Sequence, residues 1–303
     1  MAPFSLAVFL IYLAGCVVKA DAGKLGAVAS ESELCSRYGA DMLEKGGTAA
    51  DALVATSVCI GTVAMYHSGI GGGGLLLVKT PNGTNEFIDY RETAPAAAFK
   101  DMYKGNKNGS TRGGLATAVP GDLRGLEYLH KNYGKLPWSA LVQPSVQLAR
   151  NGFSVNEDLI HFMNEAVAQA GDNFLCNDPS WALDFCPTGT RLGLGETITR
   201  RRFADTLEAI SNYGPDVFYS GPIAEATVKA VQATNGTITS EDLRNYSIVI
   251  RDAAEIDYRG FRVTSTTAPS SGVIALSILK ILEAYDRFFT ADNVNISTHR
   301  LDE

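Results

Sequence analysis

From Ala52 to Tyr66 the chain runs ALVATSVCIGTVAMY, fifteen residues without a charge. A helix that is apolar all round has no face to give to water, so this stretch predicts a buried core helix around which other layers must be arranged. Thr48 starts it, with Asp51 three residues on as its N-terminal partner. Ahead of it, Ser30-x-x-Glu33 has the form of a capping box. Leu34, Tyr38 and Met42 then recur every four residues until Gly46-Gly47 stops this first helix.

The core helix runs into SGIGGGGLLLVK, Ser68 to Lys79, in which Gly69, Gly71 and Gly74 fit the written pattern G-x-G-x-x-G. A dinucleotide site needs a strand before such a loop and a helix after it, whose N-terminus faces the pyrophosphate. Here the order is reversed. LLLVK and TNEFIDY flank Pro81-Asn82-Gly83, a strong hairpin signal, so the glycines lead into a strand. That order excludes phosphate cradling and points to a backbone that must approach another segment closely.

With 303 residues, 46% of them hydrophobic, the chain is long enough for one large α/β domain with a sizeable core. Its net charge is −7, and its basic residues are scattered except at Arg200 to Arg202, read as a solvated helix start. No nucleic-acid groove and no anionic-membrane surface is expected. Phe4 to Val18 carries no charge, and Ala20-x-Ala22 follows with the form of a signal-peptidase site. Residues 1–22 are therefore expected to be a secretory signal, with a signal anchor as the alternative, although a spanning helix needs about 20 apolar residues. The expected destination is the secretory pathway, extracellular or membrane-anchored at the cell surface. Sequons at Asn82, Asn108, Asn235, Asn245 and Asn295 agree with it. Setting aside Cys16, the cysteines are Cys35, Cys59, Cys176 and Cys186, an even count that favours two disulfides and leaves three pairings open.

The second hairpin strand ends in Asp89-Tyr90-Arg91-Glu92. Arg91 either clamps a carboxylate with its two-pronged guanidinium or forms a surface pair with Glu92, and the pattern alone leans to the pair. Other chemistry is poorly supported. There is no G-x-S-x-G elbow, and His67, His130, His161 and His299 are too scattered for a zinc motif. His130 is read as a solvated-face residue of a helix carrying Leu123, Leu126 and Leu129, and Trp138 and Trp181 as packing residues.

Taken in order, GGTAADALVATSVCIG, SGIGGGGLLLV, IDYRETAP, AVPGDLRGLEYLHKNYGKLPW, VFYSGPIAE, TSEDLRNY and APSSG resemble the N-terminal, large-subunit part of gamma-glutamyltransferases, also called gamma-glutamyl transpeptidases or glutathione hydrolases. The resemblance covers nearly all of residues 23–303. Two positions depart from it: Thr48 stands where the family usually has Asn, and Val273 where a second glycine commonly follows Pro-Ser-Ser-Gly.

The resemblance implies an α/β fold, the four-layer αββα sandwich of N-terminal-nucleophile hydrolases, present here as an incomplete large-subunit portion. It implies a precursor that cleaves itself, leaving a threonine at the start of a small subunit. That threonine attacks the γ-glutamyl amide of glutathione or a similar donor, and the acyl group passes to water, an amino acid or a dipeptide, with no metal or organic cofactor. Arg91 matches the arginine that pairs with the donor's α-carboxylate, and Glu92 matches a supporting glutamate. Cys35 with Cys59 resembles a disulfide of animal members, which leaves Cys176 with Cys186. The nucleophile is expected beyond Glu303, past a helix starting near THRLDE, which would make this chain a fragment without activity of its own. Thr264, Thr266 and Thr267 do not fit the nucleophile motif, and Ser270-Ser271 is read as a turn or helix cap. A truncated, non-catalytic homologue acting as a binding protein is the alternative.

Overall fold

A computed structural model describes residues 26–285. The leader over 1–22, the sequon at Asn295 and the helix expected at THRLDE lie outside the described residues. The first half holds α1 (Glu33–Glu44), α2 (Ala49–Val63), β1 (Leu75–Lys79), β2 (Asn85–Asp89), α3 (Asp122–Tyr133) and α4 (Trp138–Asn151). Then come β3 (Phe153–Ser154), α5 (Glu157–Ala170), α6 (Phe174–Asn177), α7 (Pro179–Phe185), β4 (Thr197–Ile198) and α8 (Arg201–Tyr213). The rest is α9 (Asp216–Tyr219), α10 (Pro222–Gln232), α11 (Ser240–Asn245), β5 (Val249–Arg251), β6 (Ala254–Tyr258), β7 (Phe261–Ser265) and α12 (Gly272–Glu283).

The charge-free stretch is the centre of the core. Val54, Ala55 and Val58 of α2 pack with Leu123 and Leu126 of α3, Leu141 and Val146 of α4, and Leu207 and Ile210 of α8. The expected capping box forms: the Thr48 N–H donates to Asp51 Oδ2 at 2.8 Å and the Asp51 N–H to the Thr48 hydroxyl at 3.3 Å. Asp51 is fully buried, and the Lys135 N–H also reaches it, at 3.0 Å, so its carboxylate is met by donors from two segments. The helix stops at Val63, short of Tyr66.

At α1 the start differs from the expectation. Ser32, extended at φ −119°, caps the helix and accepts from the Cys35 N–H, while Ser30 Oγ donates to the Ser32 carbonyl. Glu33 becomes the first helical residue, too early to reach back to a cap, and pairs with Arg37 one turn on.

β1, β2 and β5 form one antiparallel sheet in that order, with Leu76 opposite Ile88 and Ile88 opposite Ile250. Leu76 and Val78 pack on the helical core. Directly opposed residues share a face, so Leu75, Leu77, Phe87 and Val249 point the other way. On that face Leu77 is 36% and Val249 46% exposed. Apolar residues of α12, Ile274, Ile278 and Ile281, are exposed as well. The four described sequon asparagines, Asn82, Asn108, Asn235 and Asn245, are all exposed. Cys35 pairs with Cys59, Cα atoms 5.3 Å apart, and ties α1 to α2. Cys176 pairs with Cys186 and links α6 to the end of α7.

Candidate active site

The site is built where the glycine loop meets the segment leaving β2. Gly74 and Tyr90 exchange backbone hydrogen bonds, at 3.0 and 3.3 Å, which adds one pair to the β1–β2 ladder. Gly73 then passes directly over that segment. A Cβ on Gly73 would lie 2.3 Å from the Tyr90 carbonyl oxygen, 3.2 Å from the Arg91 carbonyl carbon and 3.0 Å from the Glu92 nitrogen. Only glycine permits this approach, because the obstructing atoms are backbone. The loop is followed by β1, so it presents no helix N-terminus, in agreement with the reversed order in the sequence.

The start of α3 fastens to the same loop. Gly72 O accepts the N–H groups of Gly121 and Asp122 at 2.8 and 3.0 Å. The Tyr246 hydroxyl donates to Arg91 O at 2.7 Å, and Thr93 bridges to Val119. Asp89 Oδ1 accepts the Arg91 N–H, while its Oδ2 takes Arg251 Nε at 2.7 Å. The backbone of Arg91 is thereby held from several sides, and its side chain is left 64% exposed.

Arg91 Nε stands 3.3 Å from Glu92 Oε2, so the surface pair exists. Among the described residues Glu92 is the only ion-pair partner of the guanidinium. The pair is made through Nε, which leaves the terminal nitrogens to receive a ligand carboxylate side-on. Both readings of Arg91 are therefore compatible in one geometry. No group of three or more His, Cys, Asp or Glu that could hold a metal occurs among the described residues.

Glu92 also lines a cavity of about 570 Å³ whose walls include the glycine loop, His67, Phe203 and Arg200. Arg200 corrects the sequence reading. Arg201 and Arg202 are exposed as expected, but Arg200 turns inward and donates from Nη1 to Gly61 O and Thr62 O, each at 3.0 Å. The last carbonyls of α2 have no partner within the helix, and this guanidinium supplies donors to two of them. Its ring neighbour is Phe203, 4.1 Å from the guanidinium carbon, and burial lowers its pKa to about 10. His130 is likewise not a solvated-face residue: Nε2 lies 2.8 Å from Leu136 O and the ring faces Trp138. Trp138 packs as expected, its indole N–H donating to Ile210 O.

Asp122, the first residue of α3, whose N–H donates to Gly72 O, was not singled out by the sequence. It is 8% exposed, and burial, with the Glu92 charge second, pushes its carboxyl up to about 7. Burial likewise pushes the neighbouring Tyr246 phenol up to about 12. Neither Arg200 nor Asp122 carries a local signal: one is the first of three arginines, the other an acid in a first helical turn, where acids are ordinary.

The family model for gamma-glutamyltranspeptidase matches residues 35–303. The chain belongs to the gamma-glutamyltranspeptidase family. It is 57% identical over 297 residues to a glutathione hydrolase proenzyme of Arthroderma benhamiae, covering 93% of this chain and 50% of that protein. To a glutathione hydrolase of Aspergillus flavus it is 59% identical over 280 residues, covering 92% of this chain and 46% of that one. The crystal structure of Helicobacter pylori gamma-glutamyltranspeptidase superposes with a TM-score of 0.82 at 31% identity, over 91% of this chain and 81% of that chain. The fold is thus the α/β fold of this family's solved structures. The chain spans about half the length of these curated relatives. The family blocks named in the sequence converge in space: SGIGGGGLLLV, IDYRETAP, AVPGDLRG and the Tyr246 end of TSEDLRNY all meet around Arg91.

Proposed function

We propose that the complete protein cleaves the γ-glutamyl amide bond of glutathione and related γ-glutamyl compounds and passes the γ-glutamyl group to water, an amino acid or a dipeptide. Arg91 receives the donor's α-carboxylate through its terminal nitrogens, and Glu92, on Nε, fixes the plane of the guanidinium. A threonine at the head of a small subunit from the same precursor attacks the γ-carbonyl, its own α-amine acting as base. Backbone N–H groups hold the tetrahedral oxyanion, and the acyl-enzyme is then resolved by the acceptor.

The observation that carries this reading is the backbone seat of Arg91: Gly73 lies against the Tyr90–Glu92 backbone, and the exposed side chain pairs with Glu92 through Nε alone, which leaves its terminal nitrogens to receive a ligand. A small subunit as partner is supported by the exposed apolar residues Leu77 and Val249 on the outer face of the sheet and Ile274, Ile278 and Ile281 on α12. We further propose entry into the secretory pathway, supported by the two disulfides and by the exposure of Asn82, Asn108, Asn235 and Asn245. The test is release of the anilide from a γ-glutamyl anilide by the complete, processed protein. Release above buffer, competed by glutathione, is expected. No release from a processed protein overturns the reading and favours a non-catalytic binding role.

A further inference from the structure

We infer that the cavity bordered by the glycine loop and by α8, α9 and α10 is the acceptor site, in which Arg200 binds the carboxylate of an amino acid or dipeptide whose amine end lies toward Glu92. The inference rests on the γ-glutamyl transfer proposed above and adds to it the place and the recognition of the acceptor.

The cavity is lined by the loop from Ser68 to Gly73, by Phe203 of α8, by Phe218 of α9, and by Ile223 and Thr227 of α10. Its volume, about 570 Å³, falls within the range of small-molecule sites, about 300–1,000 Å³. Glu92 belongs to two places at once. Its Oε2 stands 3.3 Å from Arg91 Nε, and the residue also lines the cavity, so the cavity adjoins the proposed donor clamp.

Arg200, also on the lining, brings a positive charge that the described residues leave unpaired. Nη1 is used by the carbonyls of Gly61 and Thr62, and Nε is enclosed without an acceptor. Among the described residues the guanidinium has no ion-pair partner, and Nη2 makes no hydrogen bond. Asp184, the acid whose charge it feels, stands 3.9 Å from Arg202 instead. The guanidinium carbon lies 4.1 Å from the centre of the Phe203 ring, which holds its plane. Capping α2 calls only for donors, and Nη1 supplies them; a charge enclosed in addition calls for an anion. His67, the other basic side chain on the lining, is already held by Glu31 at 2.6 Å. An unpaired cation, a carboxylate and apolar rings around one cavity complement a zwitterion such as a free amino acid or short peptide. In the transfer the acceptor's amine nitrogen bonds to the γ-acyl carbon, the ester C–O bond to the threonine breaks, and the proton lost by the amine ends on the threonine oxygen. The acceptor's carboxylate takes no part in that exchange, so Arg200 sets affinity and specificity rather than chemistry.

Glycylglycine and glycylglycinamide share the attacking amine, and only the first carries a carboxylate. The test is the acceptor KM of each with the complete enzyme and a γ-glutamyl anilide as donor. In the native enzyme the amide is expected to have a KM about tenfold higher or more, the effect of one hydrogen bond between charged groups. Equal KM values overturn the inference. Arg200→Gln, which keeps an N–H donor for the α2 carbonyls but removes the charge, is expected to raise the KM of glycylglycine to that of the amide. A preference that survives this substitution places the carboxylate elsewhere and overturns the inference as well. Should Arg200→Gln fail to fold or process, Thr227→Phe, which fills the cavity from α10, decides: the KM of both acceptors is expected to rise about tenfold, and unchanged values contradict an acceptor in this cavity. Anilide release without acceptor separates the two levels. If the native enzyme releases none, the proposed function itself fails; if it releases anilide but treats the two acceptors alike, only the acceptor site fails.

Discussion

The close approach of Gly73 to the Tyr90–Glu92 backbone can be tested with a single methyl group. In Gly73→Ala the new Cβ would sit 2.3 Å from the Tyr90 carbonyl oxygen, about 1 Å inside ordinary contact. Its next neighbours, the Glu92 nitrogen at 3.0 Å and the Arg91 carbonyl carbon at 3.2 Å, are also main-chain atoms, so no rotamer change relieves the overlap. The segment carrying Arg91 must move or the loop must lift, which breaks the Gly74–Tyr90 pair. Overpacking of this kind costs about 1–3 kcal/mol. Gly71→Ala is the control, because a Cβ at Gly71 meets nothing within 4 Å and its backbone is not left-handed. That change should stay within about 0.5 kcal/mol. Urea unfolding of the complete protein gives the stabilities, and donor KM reports the placement of Arg91. Gly73→Ala should lose stability and raise KM, while Gly71→Ala does neither. Equal effects of the two substitutions would refute the close-approach argument, and a selective loss at Gly71 would point back to a ligand-cradling loop.

Two further outcomes follow from the same structure. The folded-state pKa of Asp122 is raised from 3.8 to about 7, so the native state binds the extra proton and stability falls as pH rises between these values, then levels off. Asp122→Asn should remove that decline, gaining at most about 4 kcal/mol at pH 8 relative to pH 4, and unfolding curves with the same pH slope in both proteins would contradict it. Cys59→Ala opens a loop closed across 24 residues between two buried positions. A loss of about 3 kcal/mol is expected in denaturant unfolding, and full stability with a free Cys35 would exclude a structural bridge.

Much of the architecture is legible where local chemistry and burial agree. The charge-free run of α2, its Thr48–Asp51 box and the Asn82-Gly83 hairpin each follow from a few residues, and all three form as expected. The helix–loop–strand order was enough to set the glycines apart from a nucleotide fingerprint. What stays hidden depends on partners far away in the chain. Ser30 and Ser32 are equivalent by type, and the backbone conformation at Ser32 makes it the cap. Arg200 is separated from Arg201 and Arg202 by carbonyls 138 and 139 residues upstream. The raised carboxyl of Asp122 needs Glu92, Gly72 and three tyrosines to be assembled around it. The role of Arg91 is ambiguous locally, since an Arg-Glu neighbour pair on a surface and a supported carboxylate clamp have the same sequence.

The measurement that bears most directly on the account is steady-state kinetics of Arg91→Lys in the complete enzyme. Lysine keeps the charge but not the planar fork, so the interaction with the donor's carboxylate should weaken from a bidentate to a point contact. A donor KM raised at least about tenfold, with kcat reduced much less, is the result expected for lost ground-state and transition-state binding alike. An unchanged KM would show that the donor's carboxylate is held elsewhere and that the glycine loop seats Arg91 for another purpose.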